Sequence, residues 1–354
     1  MFTQTLTRRV LGSSLVDVLT GPYGIDRYTE LVSPTWTTSE ARAKVVAVRR
    51  STPRSVTLTL QPNTVFPGFR AGQHVNLTVD IDGRRRTRCY SPANAEGQRL
   101  IELTVGLHDG GLVSNHLYRQ ARPGMVVGLA GVGGDFVLPA IRPRRILLIS
   151  GGSGITPVMS MLRTLDAEGH AGEAGEITFV HYARTPAEAC YRDELAAMPG
   201  VRVLHGYTRS PESGDLQGYF SAEHLQAAMP SPDAVYVCGP NALVTAVRDQ
   251  RADAVSESFV PPVFATPSDP SGGQVTFLGS RIAVTDNGRP LLEQAESAGL
   301  QPASGCRMGI CHSCTCRKTR GTVRNLITGA VSTAEDEDVQ ICVSVPVGDV
   351  ELAL

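Results

Sequence analysis

Residues 144–162 read "RRILLISGGSGITPVMSML", and this stretch decides the fold class. Ile146, Leu147, Leu148 and Ile149 form an unbroken apolar run, the signature of a strand covered on both faces. Gly151, Gly152 and Gly154 then turn the chain into a helix-like segment. Working downstream, "EITFVHYA", "VRVLHGYT" and "AVYVCGP" alternate with "EACYRDELAAM", "SAEHLQAAM" and "NALVTAVRDQ". This βαβα order predicts an α/β domain over residues 143–258, a parallel sheet with covering helices. Free N–H groups at a helix start favour phosphate, so the three glycines are candidate nucleotide contacts. They are not a G-x-G-x-x-G fingerprint, and an ordinary strand-to-helix turn is the competing reading.

Upstream, residues 41–142 change to short alternating runs punctuated by Gly and Pro: "KVVAVRR", "SVTLTL", "HVNLTVDID", "RLIELTVGL" and "MVVGLAG". Their spacing predicts a small antiparallel β-barrel. Asp82-Gly83 stands between two of the runs and signals a tight hairpin turn. On the returning strand a period of two puts Arg84, Arg86, Arg88 and Tyr90 on one face. A guanidinium beside a flat phenol suits a dinucleotide flavin, the guanidinium on the pyrophosphate and the phenol on the ring, with Ser91 within reach of the reactive edge. An exposed arginine-rich hairpin is the plain alternative. Further on, "GGLVSNHL" places Gly110, Gly111 and Ser114 at a helix start, a second clamp for a diphosphate.

The bulk numbers fit this modular plan. A chain of 354 residues exceeds what one core usually organises. Its 33 basic and 34 acidic residues leave a net charge of -1, which gives no general field for nucleic acid or anionic membrane. Residues 1–40 form an extension with Leu6, Val10, Leu15 and Leu19 at near-helical spacing, read as a helix packed on the body or a partner-binding segment. "TRRVLGSSLVDVL" has paired arginines like an export signal, but Asp17 interrupts its apolar stretch and no small-residue cleavage site follows. No apolar run reaches the length of a membrane span. Residues 259–273, rich in Pro, Ser and Gly, read as a linker, and 274–354 as a third domain.

That third domain contains "CRMGICHSCTC", residues 306–316. Eight cysteines in the chain, four of them crowded here, do not make a disulfide scaffold, and a reducing, cytoplasmic setting is expected. Cys311 and Cys314 form a C-x2-C pair, yet a structural zinc site needs a second such pair and the sequence has none. Cys306-x4-Cys311-x2-Cys314 with a distant Cys342 is the plant-type spacing for a [2Fe-2S] cluster. Cys342 is expected on an alternating strand that folds back to close the cage, and Cys316 is expected to be a strand residue. Gly305 and Gly309 let the loop approach the sulfides. Arg307, Arg317, Lys318 and Arg320 suggest a basic rim and Glu335–Asp338 an acidic one, or simply solvated faces.

"RCYS", "GGLVSNHL" and "GDF" (Gly134–Phe136), in that order, resemble the FAD barrel of the ferredoxin-NADP reductase family, and "GGSGITP" and "VCGP" resemble its nicotinamide segments. The resemblance implies that Arg88, Tyr90, Ser91, Val113 and Ser114, beside Gly111, bind FAD. It adds Thr156 and Pro157 to Gly151, Gly152 and Gly154, and implies that Cys238, Gly239 and Pro240 lie near the nicotinamide. Tyr90, Ser91 and Cys238 are the expected catalytic set. Phe259 would sit near the flavin in such relatives or serve as a core aromatic. Arg184, Tyr191 and Arg192 are candidate brackets for a 2′-phosphate, and no Asp or Glu ends that strand to take a 2′-hydroxyl, which favours NADPH over NADH.

The implied architecture is multidomain: an antiparallel β-barrel FAD domain, an α/β parallel-sheet nicotinamide domain, and an α+β, β-grasp-like ferredoxin domain. The implied activity is an electron path from NAD(P)H through FAD to [2Fe-2S], the flavin splitting a hydride into single electrons. Ser91 is expected at flavin N5. The extension "GPYGIDRYTELVSPTW" and the ending "QICVSVPVGDVEL" resemble electron-transfer partners of bacterial acyl-CoA Δ9 desaturases, implying a membrane fatty-acyl desaturase as acceptor and peripheral membrane placement through it. Two alternatives stand beside this reading. One is the reductase of a Rieske-type, alkane or aromatic oxygenase; the other is a zinc-stabilised, flavin-binding sensor or scaffold without turnover.

Overall fold

The computed structural model describes residues 26–172, 175–259, 264 and 272–354. The apolar stripe Leu6, Val10, Leu15 and Leu19 and most of the expected linker lie outside the described residues. Two compact units emerge: one reaches Phe259, except that Thr87–Cys89 group with Val260–Leu354 in the second.

In the first unit, β1 (Arg42–Thr52), β2 (Ser55–Pro62), β3 (His74–Ile81), β4 (Arg84–Tyr90), β5 (Ile101–Gly106) and β6 (Val126–Gly133) form one sheet. Its order is β4-β3-β6-β1-β2-β5. The alternating pattern predicted this, since one face must be buried: Val45, Leu58, Leu60, Val75, Leu77, Leu103 and Leu129 share a core that Tyr90 also joins. The β3–β4 turn has Asp82 at φ 53° and Gly83 at φ 73°, the two left-handed residues that a tight hairpin requires. Leu112–Gln120 forms a helix that covers this core with Val113 and Leu117.

The second sheet of this unit is parallel. β7 (Arg145–Gly151), β8 (Glu176–Ala183), β9 (Val201–Tyr207), β10 (Leu216–Gln217), β11 (Ala234–Cys238) and β12 (Val255–Glu257) run in the order β10-β9-β8-β7-β11-β12. The chain winds outward from β7 on one side and returns to β11 on the other. The order therefore reverses between β7 and β11, where open α/β sheets bind ligands beyond the strand ends. Helix Ile155–Ala167 begins directly at that point.

In the second unit β13 (Gln274–Phe277), β14 (Ile282–Thr285), β15 (Thr315–Asn325), β16 (Val331–Ser332), β17 (Glu337–Gln340) and β18 (Ser344–Leu352) form a mixed sheet, parallel only between β13 and β18. Helix Leu291–Ser297 buries Leu291, Leu292 and Ala295 against it. The expected continuous strand through Cys342 is interrupted: β17 stops at Gln340, a turn carries Ile341–Val343, and β18 starts at Ser344. The turn buries Ile341, Cys342 and Val343 alike, which strand alternation would not do. The basic rim also dissolves. Lys318 is fully buried, its ammonium donating to the carbonyls of Gly321 and Ala334, while Arg307 pairs with Glu296 at 2.5 Å and Arg317 with Asp338 at 3.4 Å.

Candidate functional site

Around the glycine turn, backbones approach so closely that no side chain fits. A Cβ on Gly154 would fall 2.2 Å from the Cys238 carbonyl oxygen, and one on Gly151 would lie 2.7 Å from Leu243 and 2.9 Å from Pro240. The structure thus brings Gly151 and Gly154 together with Cys238, Gly239 and Pro240 across the β7–β11 crevice. Gly152 instead has φ +55° and open space around it. Thr156 and Pro157 are buried in the first turn of the following helix, the Thr156 hydroxyl donating to Ser153 O at 3.3 Å. The Cys238 thiol is fully buried, and burial, then the neighbouring Glu257, keeps it protonated.

On the barrel side, Ser91 is 2% exposed and its hydroxyl has no partner among the described residues. Such an orphaned buried hydroxyl fits the polar edge of a bound group. Arg88 donates to the Thr87 carbonyl at 2.8 Å. At Leu112–Gln120 the N-cap is Gly111, where a Cβ would lie 2.5 Å from Ser114 Oγ. Val113 points its side chain into the barrel core, so only its main chain is available at that helix start. These features fit an elongated diphosphate ligand: main-chain donors at a helix start and an unpartnered buried hydroxyl.

The three residues expected to bracket a 2′-phosphate separate. Arg184 and Arg192 are exposed, and Arg192 hydrogen-bonds to Tyr207. Tyr191 turns inward: its hydroxyl bonds to Thr104 of β5, and burial pushes its phenol well above the usual range. A ring engaged in that way does not share a surface with the two arginines.

Glu257 escaped the sequence reading. It is register-paired with Cys238, and its carboxylate approaches His74 Nδ1 at 3.9 Å. Its Oε2 atom has no partner among the described residues. Burial pushes its carboxyl from the ordinary 4.5 up to about 8. An acid whose pKa rises on folding stabilises the fold below its unfolded value, and that contribution is lost as pH climbs through the folded one. Between about pH 5.5 and about pH 8.5 the loss amounts to at most about 3 kcal/mol. Glu257→Gln is expected to flatten the alkaline decline of the thermal midpoint; an unchanged decline would place its origin elsewhere. The only available signal was an acidic residue in "VSESF", which reads as solvated surface.

In the second unit the four predicted ligands are all buried, Cys306 at 8%, Cys311 at 5%, Cys314 at 3% and Cys342 at 5%. They fall in two groups. Cys306 and Cys89 hydrogen-bond Cys311 and hold its thiol low, and Cys342 does the same for Cys314. Two thiolates from the start of one loop and two from its end and a distant turn match the two irons of a [2Fe-2S] rhomb. The loop backbone fits too. Arg307, Gly309 and His312 all have positive φ, and a Cβ on Gly305 would lie 2.6 Å from Cys311 Sγ. Two non-glycine residues in that region within six positions mark a backbone held by what it encloses. Cys316 sits in β15 opposite Val339, its sulfur on the Arg317 carbonyl. Cys89, which belongs to this unit, has its Sγ within 4.8 Å of those of Cys306 and Cys311; lying far upstream of the cysteine loop, it had no spacing signal.

Comparison with known proteins agrees with this anatomy. Residues 46–138 match the oxidoreductase FAD-binding domain, 148–249 the oxidoreductase NAD-binding domain, and 275–347 the 2Fe-2S iron-sulfur cluster binding domain. The chain is 35% identical over 349 residues to an NADPH oxidoreductase of Mycobacterium tuberculosis, covering 94% of this chain and 89% of that one. It is 27% identical over 365 residues to the glycine betaine monooxygenase reductase subunit of Chromohalobacter salexigens, covering 90% and 96%. Among solved structures it shares the fold of phthalate dioxygenase reductase, with a TM-score of 0.58 and 24% identity over 88% of this chain and 97% of that one. The 2Fe-2S match displaces the zinc-stabilised alternative.

Proposed function

This chain belongs to the family of the Mycobacterium tuberculosis NADPH oxidoreductase, and from that premise we propose its cofactor contacts, its nucleotide preference and its acceptor. It is an oxidoreductase with FAD, a pyridine nucleotide and a [2Fe-2S] cluster. Bound flavin supplies the conversion between a two-electron hydride and single electrons.

The residues have the following parts. Arg88, the helix-start amides at Gly111 and Val113, and the Ser114 hydroxyl hold the FAD diphosphate. Tyr90 packs against the flavin ring, and Ser91 offers its hydroxyl to the reacting edge. Gly151, Gly152, Gly154, Thr156 and Pro157 with Cys238, Gly239 and Pro240 hold the nicotinamide end of the nucleotide. Arg184 and Arg192 face a 2′-phosphate without Tyr191, whose hydroxyl is turned inward to Thr104. Cys306, Cys311, Cys314 and Cys342 ligate the irons. The burial of all four cysteines, the C-x4-C-x2-C set and Cys342, within a domain that matches the 2Fe-2S cluster binding family carries the electron-transfer reading, because it supplies a one-electron outlet.

The acceptor is a membrane fatty-acyl Δ9 desaturase, which would bring the chain to the membrane surface through its partner. One feature supports this, the resemblance in the extension and tail. Among the described residues no helix is long and apolar enough to cross a membrane. The names of the latter relatives favour a second reading, an oxygenase component as acceptor. The rate of anaerobic flavin bleaching over a range of NADPH and of NADH concentrations tests the nucleotide; NADPH is expected to lead by about tenfold in the apparent second-order rate constant, the worth of one charge-assisted contact. Equal rates would remove the preference. Reconstitution with each acceptor class decides the rest: oxygenase turnover without acyl desaturation overturns the desaturase assignment.

A further inference from the structure

The guanidinium of Arg163 binds in three directions at once. It lies on helix Ile155–Ala167, which begins at the glycine turn. Nε and Nη2 grip the two carboxylate oxygens of Glu194 at 2.7 Å each, and Glu194 lies on the short helix Arg192–Ala197 that starts with one of the nucleotide arginines. Nη1 reaches Glu102 of β5 at 2.9 Å and the carbonyl of Ala93, also at 2.9 Å. Ala93 follows Ser91 by two residues on the flavin side of the unit. The side chain is 17% exposed, and its carboxylate partners hold its pKa above the ordinary value despite burial.

Neighbouring contacts run the same way. Arg163 stacks 5.0 Å from the centre of the Tyr191 ring, whose hydroxyl bonds to Thr104 on β5. Tyr191 has φ 59°, a left-handed conformation that a bulky residue holds only where its surroundings over-determine it. One turn before Arg163, the Ser160 hydroxyl donates to Asn94 O at 2.7 Å. Helix Ile155–Ala167 is thus tied to Ala93–Asn94 twice, and the Arg192 helix is tied to β5 through a strained residue and an ion pair. The ties to Ala93, Asn94, Glu102 and Thr104 cross between the antiparallel sheet, which carries Ser91, and the parallel sheet, which carries the β7–β11 crevice.

We propose that Arg163, acting through Glu102, Glu194 and Tyr191, is a positioning residue that sets the distance between the flavin-side strand end and the nucleotide crevice, and so controls hydride transfer. The inference rests on the NAD(P)H-to-FAD reading. A planar fork is required because two carboxylates and a carbonyl must be met from one centre, which a lysine ammonium on a flexible stem does not reproduce. Small displacements of reacting groups cost rate steeply, whereas nucleotide affinity, drawn from contacts along its whole length, should change little.

The experiment is stopped-flow reduction of the flavin-loaded protein by NADPH and by NADPH deuterated at the transferred position, for wild type, Arg163→Lys and Thr104→Val. The same proteins are titrated with NADP+ while the flavin spectrum is followed. Arg163→Lys is expected to slow hydride transfer by about tenfold to a hundredfold, enlarge the isotope effect and weaken the NADP+-induced spectral change, with the NADP+ dissociation constant within about threefold. Thr104→Val should move the same quantities less and in the same direction. A purely stabilising role would lower the thermal midpoint of both variants yet leave rate, isotope effect and spectral change per loaded flavin at wild-type values; that result overturns the proposal. Failure of wild-type flavin to be bleached by either nucleotide would instead overturn the underlying reading.

Discussion

Replacing Cys342 with serine is expected to strip the second unit of its iron, from about two per chain to near zero, and to cut NADPH-driven cytochrome c reduction by at least about tenfold. Cys342 is buried and partners Cys314, and it comes from a turn between β17 and β18 rather than from the cysteine loop. Among the described residues the other cysteine on that side is Cys316. Its sulfur bonds back to the Arg317 carbonyl within β15, so it would have to leave the strand core to substitute. Cys316→Ser should therefore keep iron and spectrum. Reduction of ferricyanide, which can take electrons from flavin directly, should stay within about twofold in Cys342→Ser, since the first unit is untouched. Loss of iron in Cys316→Ser with retention in Cys342→Ser would reverse the ligand assignment. Cys306→Ser makes a sharper comparison. The Cys89 sulfur lies within 4.8 Å of those of Cys306 and Cys311, so this variant is expected to retain more iron than Cys342→Ser.

The contrast between those cysteines shows where sequence reasoning reaches and where it stops. Local chemistry was legible. Asp82-Gly83 specifies a turn because two successive left-handed residues are needed there, and the C-x4-C-x2-C loop carries its own spacing. The alternation of strands and helices after Ile146 was likewise enough to expect a parallel sheet with its crevice beyond the strand ends. What failed were residues whose environment is made by distant chain. Tyr191 reads as a bracket for a 2′-phosphate with Arg184 and Arg192, but its partner Thr104 lies 87 positions away. Lys318 reads as part of a basic rim, yet two carbonyls, one of them 16 positions on, satisfy its ammonium in the core. Glu257 reads as surface and becomes a buried acid only when β12 pairs with β11 and His74 closes over it. In each case a polar group was buried because tertiary structure supplied either a partner or a pocket, and neither has a sequence period.

Gly154→Ala is expected to lower kcat/KM for NADPH by about a hundredfold while leaving the flavin-to-protein ratio unchanged. The added methyl would run into the Cys238–Gly239 peptide group: the Cys238 carbonyl oxygen at 2.2 Å, its carbon at 2.4 Å and the Gly239 nitrogen at 2.7 Å. No rotamer relieves such a contact. Since real Cβ atoms essentially never come closer than 3.0 Å, relieving the shortest contact from 2.2 Å opens the crevice by about 0.8 Å. Displacement on that scale at a reacting centre is enough for a loss of this order. Gly152→Ala separates this effect from a general intolerance of the loop. Gly152 has φ +55° and nothing within 4 Å, so its substitution costs backbone strain of about 1 kcal/mol without moving β7 from β11. Its kinetic loss should be at least about tenfold smaller than that of Gly154→Ala. The measurement is steady-state NADPH-ferricyanide kinetics on flavin-loaded protein, with the thermal midpoint recorded for each variant. Equal losses in the two variants would show that the close approach of the β7 and β11 loops does not set the nucleotide site. A Gly154→Ala rate within about twofold of wild type would show that the nucleotide site does not depend on the close approach at Gly154.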